Sequence, residues 1–370
     1  MAYVDLKSAF DSVDREALWK SLRGIGVPSV LLDLVKDLYT QTSSQVRLGK
    51  KLSPSFRTRS GVRQGCILAP ALFCRAMDWI MSRAMDQRGI ALSGENFSDA
   101  DYADDVAAME YDPVDIAKTL EKMEAASSEL GLHISWAKTK VQNVGAGPPA
   151  ADLLINGQTV EGVQNFVYLG SSINSADGSR SEQLRRIGIA ASNMGNLECI
   201  WRQPRLTLQT KLRLYMSLIA PILLYASETW TMTKADTAHL QAFHMRCQRR
   251  ILGVRWFDKV KNAVITRRTG LSHIGDIIQR RRHSLFGHAA RMDPSAPPSA
   301  PANMSLKLCR DISTVRRVPA GWKRPRGRLR TTWLDQLRQD TGKPVATLWT
   351  RAQDRQLYAR DATALKGYAG

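Results

Sequence analysis

Three aspartates carry the most chemistry in this sequence. Asp5 ends the apolar run Ala2-Tyr3-Val4, and Asp104 and Asp105 stand side by side among Tyr102, Ala103, Val106, Ala107 and Ala108. Carboxylates in apolar surroundings repel one another and are costly to desolvate unless something positive neutralises them. A divalent cation such as Mg²⁺ suits such a set, because it takes hard oxygen ligands and leaves its other positions to water or substrate phosphates. Two such ions roughly 4 Å apart can activate a hydroxyl and stabilise a leaving pyrophosphate during in-line displacement. An Asp-Asp pair alone more often marks a solvated turn, so the elements that position it must decide.

Residues 2–6 read as a short buried strand, and Asp14 as the N-cap of a helix through Glu16, Leu18, Trp19 and Leu22, ended by Gly24, Gly26 and Pro28. A second amphipathic helix runs through Leu31, Leu34, Val35 and Leu38, followed by a hairpin turning at Gly49-Lys50. Beyond a glycine-bounded loop, residues 70–85 are helical in pattern, and residues 97–109 read as two short strands joined by Tyr-Ala-Asp-Asp. Asp112-Pro113 heads a long helix that Gly131 stops, and a strand near 140–144 returns. A Gly/Pro/Ala linker covers 145–151, Asn156-Gly157 is a hairpin turn, and 166–173 read as strand. From Arg180 to about Met292 the pattern is almost wholly helical, with basic residues at Arg246, Arg249, Arg250, Arg267, Arg268 and Arg280 to Arg282. Pro294 to Pro301 is a proline-rich linker, and the run Lys323-Arg324-Pro325-Arg326-Gly327-Arg328-Leu329-Arg330 is too charged and turn-rich to pack internally. The order predicts an α+β unit, with helices on one face of a small antiparallel sheet, followed by a helical, cationic region.

Lys and Arg total 53 against 34 Asp and Glu, a formal charge of +19 that points to a polyanionic partner. The five cysteines at 66, 74, 199, 247 and 309 have no paired spacing, which suits a reducing compartment and argues against a disulfide framework. No zinc pattern emerges: His283 and His288 lie five apart, which a helix does not bring onto one face, and they read as packing residues. The start is neither a signal nor an anchor, and no apolar run reaches the ~20 residues a bilayer needs, so an intracellular protein of nucleus or cytoplasm is expected.

The sequence resembles the reverse transcriptases of non-LTR (LINE-type) retrotransposons in an ordered series of motifs. Tyr3-Val4-Asp5-Leu6-Lys7-Ser8-Ala9-Phe10-Asp11 looks like motif A, Gly61-Val62-Arg63-Gln64-Gly65-Cys66-Ile67-Leu68-Ala69-Pro70 like motif B, and Tyr102-Ala103-Asp104-Asp105 like motif C. Gly131-Leu132-His133-Ile134-Ser135-Trp136-Ala137-Lys138-Thr139-Lys140 is similar to motif D, and Phe166-Val167-Tyr168-Leu169-Gly170-Ser171 to motif E. The likeness continues through Pro221-Ile222-Leu223-Leu224-Tyr225 and Gly287-His288. It implies a right-hand polymerase palm over residues 1–145, a motif E hairpin over 146–179, a helical thumb over 180–293, and a linker with a basic tail over 294–370.

By that resemblance, Asp5 and Asp104 would ligate two Mg²⁺ ions (or Mn²⁺), with Asp105 a third acid and the Leu6 carbonyl completing one site. Phe10 would be the gate that crowds a ribose 2′-hydroxyl, while Gln64, Gly65 and Tyr102 would contact template and incoming nucleotide. Lys138 would protonate the leaving pyrophosphate or offset its charge. Tyr168, Leu169 and Gly170 would grip the primer, and the downstream arginines would track an RNA template paired with a DNA primer as dNTPs are added. Ala69-Pro70 replaces the commoner Ser-Pro, removing a hydroxyl cap worth ~1 kcal/mol. The family places a basic fingers subdomain ahead of motif A; none precedes Met1, so weak or absent activity of this chain alone is expected. Two alternatives are a fingers-less remnant that only binds nucleic acid, and a group II intron maturase-like protein. The sequence is silent on oligomeric state.

Overall fold

The structure, a computed structural model, describes residues 1–85, 89–92, 95–145, 147–175, 178–292 and 331–363. It divides into two units, Met1–Leu169 and Gly170–Gly370. Pro294–Pro301, Cys309 and the run Lys323–Arg330 lie outside the described residues.

The first unit opens with β1 (Ala2–Val4), α1 (Ala9–Ser12), α2 (Arg15–Gly24) and α3 (Ser29–Tyr39), then two small ribbons built from β2 (Ser43–Ser44), β3 (Arg47–Leu48), β4 (Lys51–Leu52) and β5 (Phe56–Arg57). It continues through α4 (Ala69–Ala84), β6 (Ile90–Leu92), β7 (Glu95–Phe97), β8 (Asp99–Tyr102), β9 (Asp105–Ala108) and α5 (Pro113–Glu129). β10 (Lys140–Val141), β11 (Leu153–Ile155), β12 (Gln158–Gly162) and β13 (Asn165–Tyr168) complete it. A six-stranded sheet runs in the order β11-β12-β10-β1-β9-β8. β1 lies inside it, paired antiparallel with β9 at Val4↔Val106 and with β10 at Ala2↔Val141.

Because strand side chains alternate, Ala2, Val4, Val106 and Ala108 join one core with Phe73, Met77 and Ile80 of α4 and Leu120 and Met123 of α5. Tyr3 and Ala107 belong to the opposite face, where Tyr3 stacks on Phe166 with ring centroids 4.2 Å apart. One neighbour departs from the antiparallel expectation: β10 and β12 are parallel. The chain leaves β10 past the adjacent position, comes back as β11, and the Asn156-Gly157 turn folds β12 into the gap, parallel to β10.

Local signals act as read. Asp14 accepts the Ala17 amide at 2.7 Å, and Asp112 caps α5 by accepting the Val114 amide at 2.7 Å. At the end of α5, Gly131 takes φ +72, a left-handed position suited to glycine, and a Cβ there would sit 3.0 Å from the Ser12 carbonyl oxygen. The stripe expected to bury α3 does not do so. Leu31, Leu34 and Leu38 stay exposed, because α3 leans on α2 through Leu32 and Tyr39, whose ring meets Trp19 edge-on at 5.6 Å.

In the second unit β14 (Ser171–Asn174) precedes α6 (Arg180–Asn196), α7 (Glu198–Arg202) and α8 (Leu208–Leu214). The stretch read as one strand over 166–173 is thus two, parted at Leu169 and Gly170, which take φ +46 and +74. A π-helical turn at Tyr215–Ile219 leads into α9 (Ala220–Leu223); Pro221 has no amide to give, which disrupts regular α-helical pairing there. α10 (Lys234–Leu252), α11 (Asn262–Thr269) and α12 (Ile274–Ala290) follow, and Tyr215, Trp230, Leu240, Ile274 and Ile278 share a core.

Beyond residue 330, where the sequence analysis gave no element, stand α13 (Trp333–Thr341), α14 (Val345–Gln353) and α15 (Arg355–Thr363). Thr332 and Asp335 form a reciprocal capping box that starts α13. Leu337, Leu348 and Tyr358 build a second core on Phe286 of α12. Arg282 is buried and pairs with Asp340 at 2.8 Å, so it does not join a solvent-facing cationic run; His283 meets the Tyr358 hydroxyl at 3.0 Å, a packing role. Among the described residues the cysteines are unpaired, and no helix is long and apolar enough to cross a membrane.

Two glycines of the same loop make a paired test. A Cβ on Gly61 would sit 2.6 Å from the Asp11 carbonyl oxygen, whereas one on Gly65 would meet nothing within 4 Å, although both residues have positive φ. Gly65→Ala should cost only the left-handed penalty, about 1–2 kcal/mol. Gly61→Ala should cost at least ~1 kcal/mol more, because backbone must shift. Urea unfolding followed by tryptophan fluorescence checks the ranking.

Candidate active site

The site is assembled by the register of β1 against β9. Continuing the Val4↔Val106 pairing by one residue sets Asp5 beside Asp105, on the face opposite the helix-packed core. Asp104 lies in the two-residue turn between β8 and β9, where Ala103 adopts φ +58. An alanine in that region stores strain that glycine would not, and such strain gathers at functional turns.

The backbone at Asp5 is pinned from the far side by the segment after α5. The Asp5 carbonyl accepts the Ser135 amide at 2.7 Å, its own amide donates to the Thr139 hydroxyl at 3.4 Å, and Leu6 bridges to Ile134. Glu124 of α5 fixes that segment in turn, accepting the Ile134 amide at 2.7 Å. On the same segment, Lys138 brings its ammonium 3.3 Å from Asp5 Oδ2.

The Asp105 carboxyl is held above the usual carboxylate range, first by partial burial and then by the charges of Asp104 and Asp5. Three acids therefore share a field that a cation would relieve, and carboxylate oxygens are the donor type a hard divalent ion takes. Among the described residues no three His, Cys, Asp or Glu side chains are grouped closely enough to hold a metal ion, so these acids stand as an open acidic edge whose side chains would have to draw together around one.

The other expected residues divide between this edge and its surroundings. Phe10 stacks on Phe73 of α4 with centroids 4.3 Å apart, partly buried at the margin of the core. Gln64 donates to Asp11 Oδ1 at 3.1 Å, and the loop is joined to α1 by Val62 N–H to the Phe10 carbonyl and Gly61 N–H to the Val13 carbonyl, both 2.8 Å. Gly65 and Tyr102 are exposed, Tyr102 at 70%. Tyr168 directs its hydroxyl proton at main chain. It donates to the backbone carbonyls of Ala100 and Asp105, at 2.9 and 3.1 Å, and burial followed by Asp105, Asp101 and Asp99 pushes its pKa up to about 12. Leu169 ends the first unit. Gly170, in the second, has its carbonyl held by Arg185 at 2.6 Å and by Arg186. Pro70 sits in the first turn of α4, and the residue at the cap position is Leu68, which has no side-chain acceptor; Ala69 is already helical, so a hydroxyl there would not occupy the cap position.

Sequence reasoning passed over Arg15. Its guanidinium donates to the carbonyls of Gly61, Tyr39, Thr58 and Ser60 and to the Thr42 hydroxyl, at 2.9 to 3.3 Å. One side chain thus fixes the entry of the Gly61–Pro70 loop to the start of α2. A signal was available, since a cation in the first turn opposes the helix dipole and needs another purpose.

The family model for reverse transcriptase (RNA-dependent DNA polymerase) matches residues 1–173. A transposon-derived protein of Caenorhabditis elegans is 27% identical over 282 residues, 72% of this chain and 95% of that protein. The Pol polyprotein of a type-1 retrotransposable element R2 of Nasonia vitripennis is 28% identical over 134 residues, 36% of this chain and 13% of the polyprotein. The RNA-directed DNA polymerase of the mobile element jockey of Drosophila melanogaster is 23% identical over 295 residues, 75% of this chain and 31% of that protein. The chain therefore spans almost all of the worm protein but under a third of the two retroelement proteins. Residues 1–173 are thus similar to the reverse transcriptase (RNA-dependent DNA polymerase) family, and the chain to proteins of non-LTR retrotransposons.

Proposed function

We propose that this chain adds dNTPs to a DNA primer on an RNA template, its first unit acting as a polymerase palm and its helices after Arg180 as a thumb. The observation that carries the reading is the shared acidic edge, where Asp5 and Asp104 both bear on the Asp105 carboxyl. Asp5 and Asp104 would hold divalent ions, with Asp105 beside them and the Leu6 carbonyl as an added oxygen. Mg²⁺ or Mn²⁺, when bound, would lower the charge barrier between the primer hydroxyl and the triphosphate.

This chain's own groups do the remaining work. Lys138 lies within ion-pair reach of Asp5, so it would hold positive charge beside the leaving pyrophosphate and is placed to give up a proton there. Phe10, backed by Phe73, presents a ring that cannot easily retreat, which suits a steric gate against a 2′-hydroxyl. Gln64 and Gly65 lie on the loop clamped by Arg15 and would meet template and nucleotide, with Tyr102 nearby. Tyr168 would serve the primer indirectly, by tying its strand to the carbonyls of β8 and β9, while Leu169 and Gly170 form the turn beyond. An RNA–DNA hybrid is the expected partner, held through phosphates in a salt-sensitive way.

Incorporation of dTTP on poly(rA)/oligo(dT) by the purified chain, expected to be weak, should require Mg²⁺ or Mn²⁺, and robust incorporation would overturn the expectation of weak activity. Asp104→Asn should reduce that incorporation by at least about a hundredfold, since loss of a direct ligand should exceed the 10- to 100-fold loss seen for its supporting groups. Hybrid binding should be retained. Incorporation that survives the change would remove the metal assignment, and hybrid binding with no incorporation by the parent chain would favour a binding-only remnant.

Phe10→Ala should also remove packing against Phe73, so total activity is a poor readout. The ratio of rNTP to dNTP incorporation does not depend on the folded fraction and should rise at least about tenfold. An unchanged ratio would leave Phe10 as core alone.

A further inference from the structure

The last turn of α10 and the loop after it form a cleft that the polymerase reading does not use. The cleft is about 870 Å³ and lies wholly within the second unit. Arg246, Arg249 and Arg250 reach it from one face of α10, at i, i+3 and i+4. Gly253, at φ +68, ends the helix and turns the chain, so that Arg255 and Lys259 join the same wall. Arg202 and Glu198 come from α7, and Glu198 is the only acid in the lining, already engaged by Arg202 at 2.6 Å and by Arg250.

Trp256 also lines this cleft and is 88% exposed. Phe257 stands beside it, edge to face at 5.8 Å, itself half exposed and with the Arg255 guanidinium over its ring. Two bland explanations fall short. Cations in the last turn of a helix answer its dipole, which accounts for Arg249 and Arg250 but not for Arg202, Arg255 or Lys259. A single exposed aromatic would need no explanation, but Trp256 and Phe257 together expose adjoining rings amid this charge, and a contiguous apolar patch marks a binding surface.

We propose that this cleft binds single-stranded nucleic acid, with an unpaired base stacked on Trp256 and the flanking phosphates met by the surrounding arginines and Lys259. Stacking requires an open base face, which separates this site from any surface that follows a duplex backbone. Cationic walls around an aromatic platform are the combination that such strands select. An acidic protein would use the charges but would have no need of the indole.

The whole chain should be titrated by fluorescence anisotropy with labelled oligo(U), oligo(dT) and an RNA–DNA hybrid of equal length. Trp256→Ala should weaken binding of one or both single strands by about 5- to 100-fold, with hybrid affinity changed less than twofold. Trp256→Phe should restore most of the loss. Lys259→Ala should instead lower the slope of log affinity against log salt by about one. The exposure of both side chains makes unfolding an improbable cause, and an unchanged melting temperature checks it. Unaltered single-strand binding in Trp256→Ala, or an equal loss for strand and hybrid, would overturn the proposal. A difference between oligo(U) and oligo(dT) would tell whether the strand is RNA or DNA.

Discussion

Like charge held at the end of a sheet is the constraint on which the first unit depends. Asp5, Asp104 and Asp105 are set close by strand register, and a one-residue slip would carry Asp5 to the helix-packed face. That slip is opposed because it would also turn the buried Ala2 and Val4 out of the core shared with Val106 and Ala108. Hydrophobic alternation on one face therefore holds electrostatic repulsion in place on the other. Lys138 relieves part of the repulsion, while burial first, and then the charges of Asp104 and Asp5, keep the Asp105 carboxyl above the usual carboxylate range.

The surroundings are organised to keep that edge rigid with few parts. Glu124 fastens the 133–134 segment, which fastens the backbone around Asp5; Tyr168 fastens the start of β9. Arg15 does the same for the loop carrying Gln64 and Gly65, using five donations from one planar group that a lysine cannot imitate. Polar side chains on helices thus immobilise irregular backbone, and the residues proposed to act sit on that backbone.

Much of this was legible in the sequence wherever the cause was local. The Asp14 and Asp112 caps, the Gly131 stop, the Asn156-Gly157 turn and the strand-turn-strand around Asp104 depend on a few neighbouring residues, and each stands where the residue types place it. Causes that act at a distance were not legible. The parallel pairing of β10 with β12 depends on where a later hairpin finds room, and the exposure of Leu31, Leu34 and Leu38 depends on what α3 fails to meet. Tyr168 could be read as facing a ligand because nothing in its sequence neighbourhood reveals two carbonyl acceptors more than 60 residues away. The capping box at Thr332 was local but lay beside a charged run that drew attention from it.

α12 has a part in two cores at once, contributing Ile274 and Ile278 to one and Phe286 and Ala290 to the other. Trp333 and Gln336 of α13 add a second tie by donating to the Glu228 and Met232 carbonyls. A helix anchored at both ends transmits displacement instead of absorbing it. The three helices α13 to α15 are therefore fastened to the rest of the second unit at two places, through the shared α12 and through these two hydrogen bonds.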